Sequence, residues 1–579
     1  MAATSALTLL KEHGILREID VRFAMLLAEE TGDRRELVLL AAALASRAPA
    51  YGHVCVNLDT LQHTIRSESA VSAEAQPAWP SGSAFEAALR NSPAVTTGRN
   101  YSKPLFLQGR RLYLSRYWLF QQELLHDITR RQAVTYDVDT ERVGRDLGLL
   151  FPECLIRDAH KDEDQRDLLD SLELRPSRQL IAALTALRHS LTVICGGPGT
   201  GKTTTVVRIL AMLLDAHNKH EMNRDLDILL LAPTGKAASR LGQSLARSKT
   251  SGAWLPPNTT DKIPERSLTI HRALGLGSSP AARPRHDRSN PLDADIVVVD
   301  EASMVDLSLM TKLFAAVRPD ARLILLGDPN QLASVEAGAV LSDIVSDRAE
   351  LSRPMGTYLS TILGEQPTGL EVTRDDEGVW DCIVELDRSH RFDAKSGIGR
   401  LARHVNAGNS SDALKLLSST QHADIRLVRT RTVKESQQAL RELTTERFAA
   451  NHRVKTATES LASQHALRVL TVHRRGPLGA GRLNASLTAW VHEANGSLAD
   501  SEWYPGRPVL ITRNDPLLDL YNGDTGVAHS DSTDEVRVLF EGVSDGDIRS
   551  FNPARLPPHE TVYAMTVHKS QGSEFGEVV

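Results

Sequence analysis

Cysteine is scarce in this chain and never closely spaced: Cys55, Cys154, Cys195 and Cys382 are the only four in 579 residues. No C-x-x-C pair occurs, which argues against a disulfide scaffold, a cysteine zinc site or an iron–sulfur cluster and fits reduced, buried thiols. Aromatics supply only 4% of the sequence while hydrophobic residues supply 41%. A core of aliphatics and alanine points to helices layered on sheet rather than to an all-β fold. A basic surplus is missing too. Lys plus Arg number 67 against 73 Asp plus Glu, for a formal charge of −6, so a polyanion would have to be held along a local track, not by a bulk positive field. Long apolar runs are absent near the start. The segment MAATSALTLLKEHG has no basic n-region, and Leu37 to Ala45 falls far short of the ~20 residues a membrane span requires. The expectation is a soluble, cytoplasmic protein with no membrane partner.

What the chain does contain is LTVICGGPGTGKTTT, Leu191 to Thr205. An apolar run reads as a buried strand, breaks into a glycine loop, and enters the apolar-periodic run Val206 to Leu214 as a helix. The register is G-x-x-x-x-G-K-T from Gly196 to Thr203, with Gly197, Pro198, Gly199, Thr200 and Gly201 between the ends of the loop and Lys202 before the final Thr. Glycines let successive N–H groups turn inward around phosphate oxygens, and the helix start adds unpaired donors. Lys202 adds a full charge, the Thr203 hydroxyl suits Mg²⁺, and Thr204 extends the phosphate-binding set. The bland alternative is an ordinary αβ turn with an incidental Lys. Upstream, Gln179 precedes a helix leading into the loop strand; its amide could read an adenine edge, or it is a surface Gln.

Three more strand ends carry chemistry. Asp227 to Leu231 reads as a strand ending in APTGKAASRL, where Thr234 and Lys236 are suited to polynucleotide phosphates. Ile296 to Val299 delivers Asp300, a candidate Mg²⁺ ligand, and Glu301, a candidate base for an attacking water. Leu323 to Leu326 ends in GDPNQL, where Asp328 and Gln331 could sense a γ-phosphate. Between them SLTIHRALG puts Thr269 and His271 at a helix start, where a capping Thr and a surface His are the plainer reading. Further on, CIVELDRSHRF reads as a strand followed by Arg391, which fits either an arginine finger from a second domain or a surface salt bridge. Asn484 could contact a ligand, and the aromatic cluster Tyr113, Tyr117, Trp118 and Phe120 reads as local core in preference to a base-stacking surface. The last segment, YAMTVHKSQGSEFGEVV, places Thr566, His568 and Lys569 after a strand.

In order, GGPGTGKT, LAPTGKAASRL, TIHRALG, VVVDEASM, LLGDPNQL, DRSHRF, VLITRND…YNGDTG and AMTVHKSQGSEF resemble the motifs of superfamily 1 helicases. Their wording is most similar to the RecD family, the α subunits of the RecBCD enzyme (exodeoxyribonuclease V). The resemblance is strong over about 180–579, and GHVCVNLDTL (Gly52 to Leu61) resembles that family's N-terminal part. It implies an ATP- and Mg²⁺-dependent motor running 5′→3′ on single-stranded DNA. That motor would work within a heterotrimer with RecB-like and RecC-like subunits, processing double-stranded DNA ends for recombinational repair. It further implies phosphate and Mg²⁺ binding at Gly196–Thr203 and Asp300, hydrolysis at Glu301, and nucleotide coupling at Gln331 and Arg391. Thr234, Lys236, His271, Thr566, His568 and Lys569 fall on the DNA-contacting motifs. In the family the nuclease belongs to a partner chain. The family continues past the position of Glu577-Val578-Val579 to a motif ending in T-R-A; whether a fragment or a protein without that arginine, the 579-residue chain is expected to hydrolyse ATP poorly by itself, since such an arginine contributes ~10³–10⁵ in rate.

The expected fold is α/β: two RecA-like P-loop motor domains with parallel sheets, a mostly helical N-terminal domain, and a small β-barrel inserted in the second motor domain. The expected limits are 1–165 for a partner-docking domain, 166–355 for the first motor domain and 356–579 for the second, with the barrel at about 503–560. Two other readings stay open: a stand-alone 5′→3′ DNA helicase, and a structural subunit that binds ATP without hydrolysing it.

Overall fold

A computed structural model describes residues 2–68, 79–98, 102–151, 155–157, 172–174, 177–219, 224–251, 259, 261–277, 283–345, 350–364, 371–386, 396–496, 502–515, 517–530, 535–542 and 547–579. The N-terminal part is built on the helix Glu36–Arg47, whose run LVLLAAALA is buried along nearly its whole length. A helix apolar all round has to be central, and Glu18–Thr31, Gly82–Arg90 and a small sheet pack around it. That sheet has four strands in the order Cys55–Asn57, Arg111–Leu114, Leu105–Gln108 and Val95–Thr96. The part is therefore mixed rather than simply helical, because alternating residues of the 105–114 hairpin serve two apolar clusters. Trp118 stacks on Phe106 with ring centroids 4.2 Å apart and meets Tyr113 edge-on at 5.2 Å. The aromatic cluster is core.

The unit ends earlier than 165. The helix Ser115–Gln132 sends Tyr117, Leu124 and Ile128 into the cluster formed by Leu191, Val193 and Val297. Its Arg131, fully buried, donates to the carbonyls of Ala321, Val317 and Arg318. Asp127 takes a bidentate pair from Arg288 at 2.8 and 2.7 Å. Leu147, Leu150 and Phe151, at the end of the helix Thr140–Leu150, join the other large cluster of the same unit. The charged stretch 161–167, read as a boundary, lies outside the described residues.

A six-stranded parallel sheet carries the next unit, in the order Ile383–Leu386, Leu191–Gly196, Arg322–Gly327, Ile296–Val299, Ile228–Ala232 and Leu268–Thr269. The central strands are buried and apolar apart from Thr192 and Arg322, because helices cover both faces. The expected limit at 355 falls inside this unit. Ile383–Leu386 pairs in register with Val193 to Gly196, and the helix Arg353–Leu363 buries Met355, Tyr358 and Leu359 against Leu184 and its neighbours. The stretch after 355, expected to be irregular, is that helix plus the strand Glu371–Arg374. The strand leading toward Arg391 thus belongs to the first sheet, not to a second domain; Arg391 itself lies outside the described residues.

From 396 a run of helices leads to a second parallel sheet, in the order Ala564–Thr566, Leu467–Thr471 and Glu577–Val578. Between the helix Ala480–Ala494 and the strand Ala564–Thr566 the chain forms a five-stranded antiparallel sheet. Its order is Ile548–Phe551, Val536–Glu541, Thr525–Ser530, Pro508–Ile511 and His559–Thr561. Three of these strands are legible as β-rich runs between turn signals. The two outermost are short and mixed in polarity, and only their pairing identifies them. Asn484 is structural: its amide donates to Ala564 O at 2.8 Å and accepts from Ala564 N at 2.7 Å.

Candidate active site

The Leu191–Gly196 strand opens into the glycine loop, and the helix Lys202–Lys219 leaves it. Gly199 and Gly201 stand at φ 76 and 82, a region open to glycine and strained for other residues. Lys202 Nζ donates to Gly196 O at 2.6 Å and Gly197 O at 3.1 Å, so the ammonium closes across the loop. Thr200 is buried and donates to Gly197 O at 3.0 Å. Thr203 and Thr204 lie half-buried in the first turn of the helix. Gln179 comes to the same place from the helix Arg178–Arg188: Nε2 donates to Thr200 O at 3.1 Å and Oε1 accepts from Arg208 at 3.3 Å.

Beside the loop, neighbouring strands deliver their acids. Glu301 N donates to Asp300 Oδ1 at 2.8 Å, and Glu301 holds φ 52 and ψ 40. A non-glycine residue there is a local strain that the surrounding structure must sustain. Burial raises the pKa of Asp300. Burial first, then the Asp300 charge, pushes Glu301 up to about 7. Asp328, 4% exposed at the end of Arg322–Gly327, is raised by burial as well and accepts from Asn330 N at 3.0 Å. Gln331 N donates to Asp328 O at 3.1 Å, which holds Gln331 at the same rim. Burial raises all three carboxyls, and the Lys202 charge acts on each in the opposite direction. Among the described residues no cluster of three or more His, Cys, Asp or Glu could hold a metal. Mg²⁺ is commonly held by one or two carboxylates with substrate phosphates, and Asp300 with the Thr203 hydroxyl provides that kind of donor set.

A second arc runs along the same strand ends. Thr234 Oγ1 accepts from Ala237 N at 3.2 Å and starts the helix Gly235–Ser251. Lys236 Nζ donates to Ser573 Oγ at 2.6 Å, and burial pushes its pKa down to about 8. One turn on, Arg240 reaches Gly572 O and the Glu574 carboxylate, while Gln571 Nε2 donates to Leu332 O at 2.7 Å. Thr566 caps the short helix Val567–Ser570, accepting from Lys569 N at 3.3 Å, and Lys569 Nζ pairs with Glu560 at 2.6 Å. His568 and His271 are exposed, and Thr269 caps the turn that carries His271. The loop, Gln179, Asp300, Glu301 and Gln331 therefore gather at one end of the first sheet. Lys236 and Arg240 bond to the 571–574 segment rather than to Thr566 or His568. Arg240 and Ser573 escape sequence reading, although the four-residue spacing from Lys236 to Arg240 already places both on one helical face.

Residues 179–337 match the family model described as AAA domain, and 12–113 match the one described as RecBCD enzyme subunit RecD, N-terminal domain. The chain is 36% identical to the RecBCD enzyme subunit RecD of Mycolicibacterium smegmatis, over 97% of this chain and 88% of that one. It is 31% identical to the protein of the same name from Haemophilus influenzae, over 99% of this chain and 91% of that one. To the ATP-dependent RecD2 DNA helicase of Deinococcus radiodurans it is 30% identical, over 68% of this chain and 43% of that one.

Proposed function

The chain belongs to the RecD family of RecBCD enzyme subunits, and on that premise we propose that it is an ATP-driven motor moving 5′→3′ on single-stranded DNA. In this reading it is the helicase subunit of a cytoplasmic heterotrimer with RecB-like and RecC-like partners, opening double-stranded DNA ends for recombinational repair. The six-stranded sheet is read as the first RecA-like motor domain, the three-stranded parallel sheet as part of the second, and the five-stranded sheet as its small barrel insertion. Among the described residues no helix is long and apolar enough to cross a membrane.

The observation that carries the reading is the meeting of the glycine loop with Glu301, an acid held half-buried at the end of a nearby strand of the same sheet. The loop N–H groups and Lys202 bind the triphosphate. Gln179, already against the loop, orients the base. Thr203 and Asp300 would hold Mg²⁺, which when bound neutralises charge on the β and γ oxygens. Glu301 takes the proton of the attacking water, and its raised pKa suits a base near neutrality. Gln331 reports the γ-phosphate, and Arg391 is assigned to the developing negative charge. Thr234, Lys236, His271, Thr566, His568 and Lys569 are read as the DNA-binding residues.

A stand-alone helicase is the second reading, favoured by the identity to the RecD2 DNA helicase; the match of 12–113 to the RecD N-terminal model favours the subunit. The test is phosphate release by the wild-type chain and by Lys202→Gln, with and without single-stranded DNA. Release that rises with DNA in the wild type and is lost in Lys202→Gln is expected. Hydrolysis indifferent to both DNA and the substitution would sink the motor reading. Co-purification from native cells then separates the subunit from the stand-alone enzyme.

A further inference from the structure

The connection between the strands Pro508–Ile511 and Thr525–Ser530 is tied down more tightly than a surface loop requires. Asp515 N donates to Leu520 O at 2.7 Å and Leu520 N returns the bond at 3.1 Å. Tyr521 N donates to Asp524 Oδ2 at 2.7 Å, and Asn522 N to Asn514 Oδ1 at 2.8 Å. Arg549, from the edge strand Ile548–Phe551 of the same sheet, donates to Asp519 O at 2.9 Å. These bonds fix the direction in which Tyr521 leaves the backbone.

Tyr521 is carried onto the first sheet's strand-end turn. A Cβ at Gly235 would come within 2.8 Å of Tyr521 Cβ and 3.1 Å of its Cδ1, so the ring's root sits directly over the residue between Thr234 and Lys236. A Cβ at Gly523 would meet Lys236 Cδ at 3.7 Å, which puts the lysine stem along the same loop. Asp519 hydrogen-bonds the phenol, and Arg272 and Arg266 also act on it electrostatically; Arg272 is the neighbour of His271. Tyr113, Trp118, Phe448 and Tyr563 are spent in cores with other rings. Tyr521 keeps part of its ring open and is in no ring pair among the described residues. An aromatic whose phenol is anchored by Asp519, with Lys236 beside its loop, Arg272 and Arg266 acting on it, and a turn suited to phosphates beneath, resembles the arrangement in which single-stranded nucleic acid is gripped: charge for the backbone, a ring for the base.

We propose that Tyr521 is a further DNA-binding residue, a stacking platform that the five-stranded insert sets over the Thr234–Lys236 turn to hold one base of the single strand. The inference rests on the motor reading above and adds to it a contact with bases rather than phosphates. Stacking is indifferent to base identity, so it gives grip without sequence preference. It also carries no counterion release, whereas each phosphate contact adds to the salt dependence of binding.

The test is the affinity of the full chain for a fluorescent thymidine oligonucleotide of about 20 nucleotides, by anisotropy across a salt series. Tyr521→Leu keeps apolar volume against Gly235 but has no ring, and Tyr521→Phe keeps the ring. The expected result is about tenfold weaker binding for Tyr521→Leu at every salt concentration, with the wild-type salt slope. Tyr521→Phe is expected to bind within about twofold of wild type. For Tyr521→Trp, the oligonucleotide should quench a fluorescence component absent from the wild type. Wild-type affinity in Tyr521→Leu, or a loss accompanied by a shallower salt slope, overturns the stacking role. A wild-type chain that binds no oligonucleotide at all overturns the motor reading, and this inference falls with it.

Discussion

Glu301, proposed above as the base, combines three features that cluster at functional sites: a left-handed backbone at φ 52, a half-buried carboxyl, and a pKa pushed up to about 7. As the base, it should cost about 10²–10⁴ in kcat when replaced by Gln, with nucleotide binding retained, as phosphate release and nucleotide titration would report. Its shift also predicts a pH dependence. The folded carboxyl holds its proton up to about 7 while the ordinary value is 4.5, so its contribution to stability is intact below 4.5 and is lost as pH rises through 7. The loss is about 3 kcal/mol at most. Denaturation of the nucleotide-free and metal-free protein should therefore show Glu301→Gln more stable than wild type at pH 8, with the gap closing toward pH 5. Lys236 gives a contrasting prediction, because a phosphate contact is read in the salt slope: Lys236→Ala should weaken single-strand binding and lower that slope by about one.

At the level of elements, the arrangement depends on joints as much as on individual side chains. The helix Ala480–Ala494 is joined to the strand Ala564–Thr566 by both ends of one amide, that of Asn484. Asn484→Ala leaves the Ala564 N–H and C=O without partners and should destabilise the protein by about 1–3 kcal/mol in denaturant titration. The ATP site should keep its affinity for nucleotide, because Asn484 has no part in the loop. The glycine loop is the opposite case. Gly201 stands at φ 82, and a Cβ there would meet Gln179 Nε2 at 2.6 Å. Gly201→Ala should lower the melting temperature without nucleotide, because alanine is strained at that φ, and also abolish the rise that ATP produces in the wild type. An equal thermal shift in the two proteins would show that the loop tolerates the side chain.

Over the whole molecule, the consequential finding is where units end. Tyr117, Leu124, Ile128 and Arg131 complete the core of the six-stranded unit, although they lie before the expected limit at 165. Removing residues 1–114 should leave a fragment that melts cooperatively. Removing residues 1–165 should expose the apolar surface under that helix and strip the partners of Arg288 and the 317–321 carbonyls, giving aggregated protein on size-exclusion chromatography. A soluble, cooperatively melting 166–579 fragment would refute the assignment.

The sequence by itself determined the local patterns from which the chemistry is proposed. The glycine loop, the acids closing Ile296–Val299 and GDPNQL are local patterns, and each lies within a strand–loop–helix passage that short-range periodicity reveals. Their meeting at one end of a sheet followed from the rule that parallel strands present their carboxyl ends together. What only the tertiary structure decided is membership and contact. Ile383–Leu386 could join either sheet by composition, and the choice rests on hydrogen bonds to Val193 through Gly196. The helix Ser115–Gln132 carries apolar residues that suit any core, and the core it enters is formed mainly by residues more than fifty positions away. Lys236 on Ser573 and Tyr521 on Gly235 join positions hundreds of residues apart. No periodicity carries information over that range, because such contacts are fixed by the packing of finished elements and not by the order in which they occur.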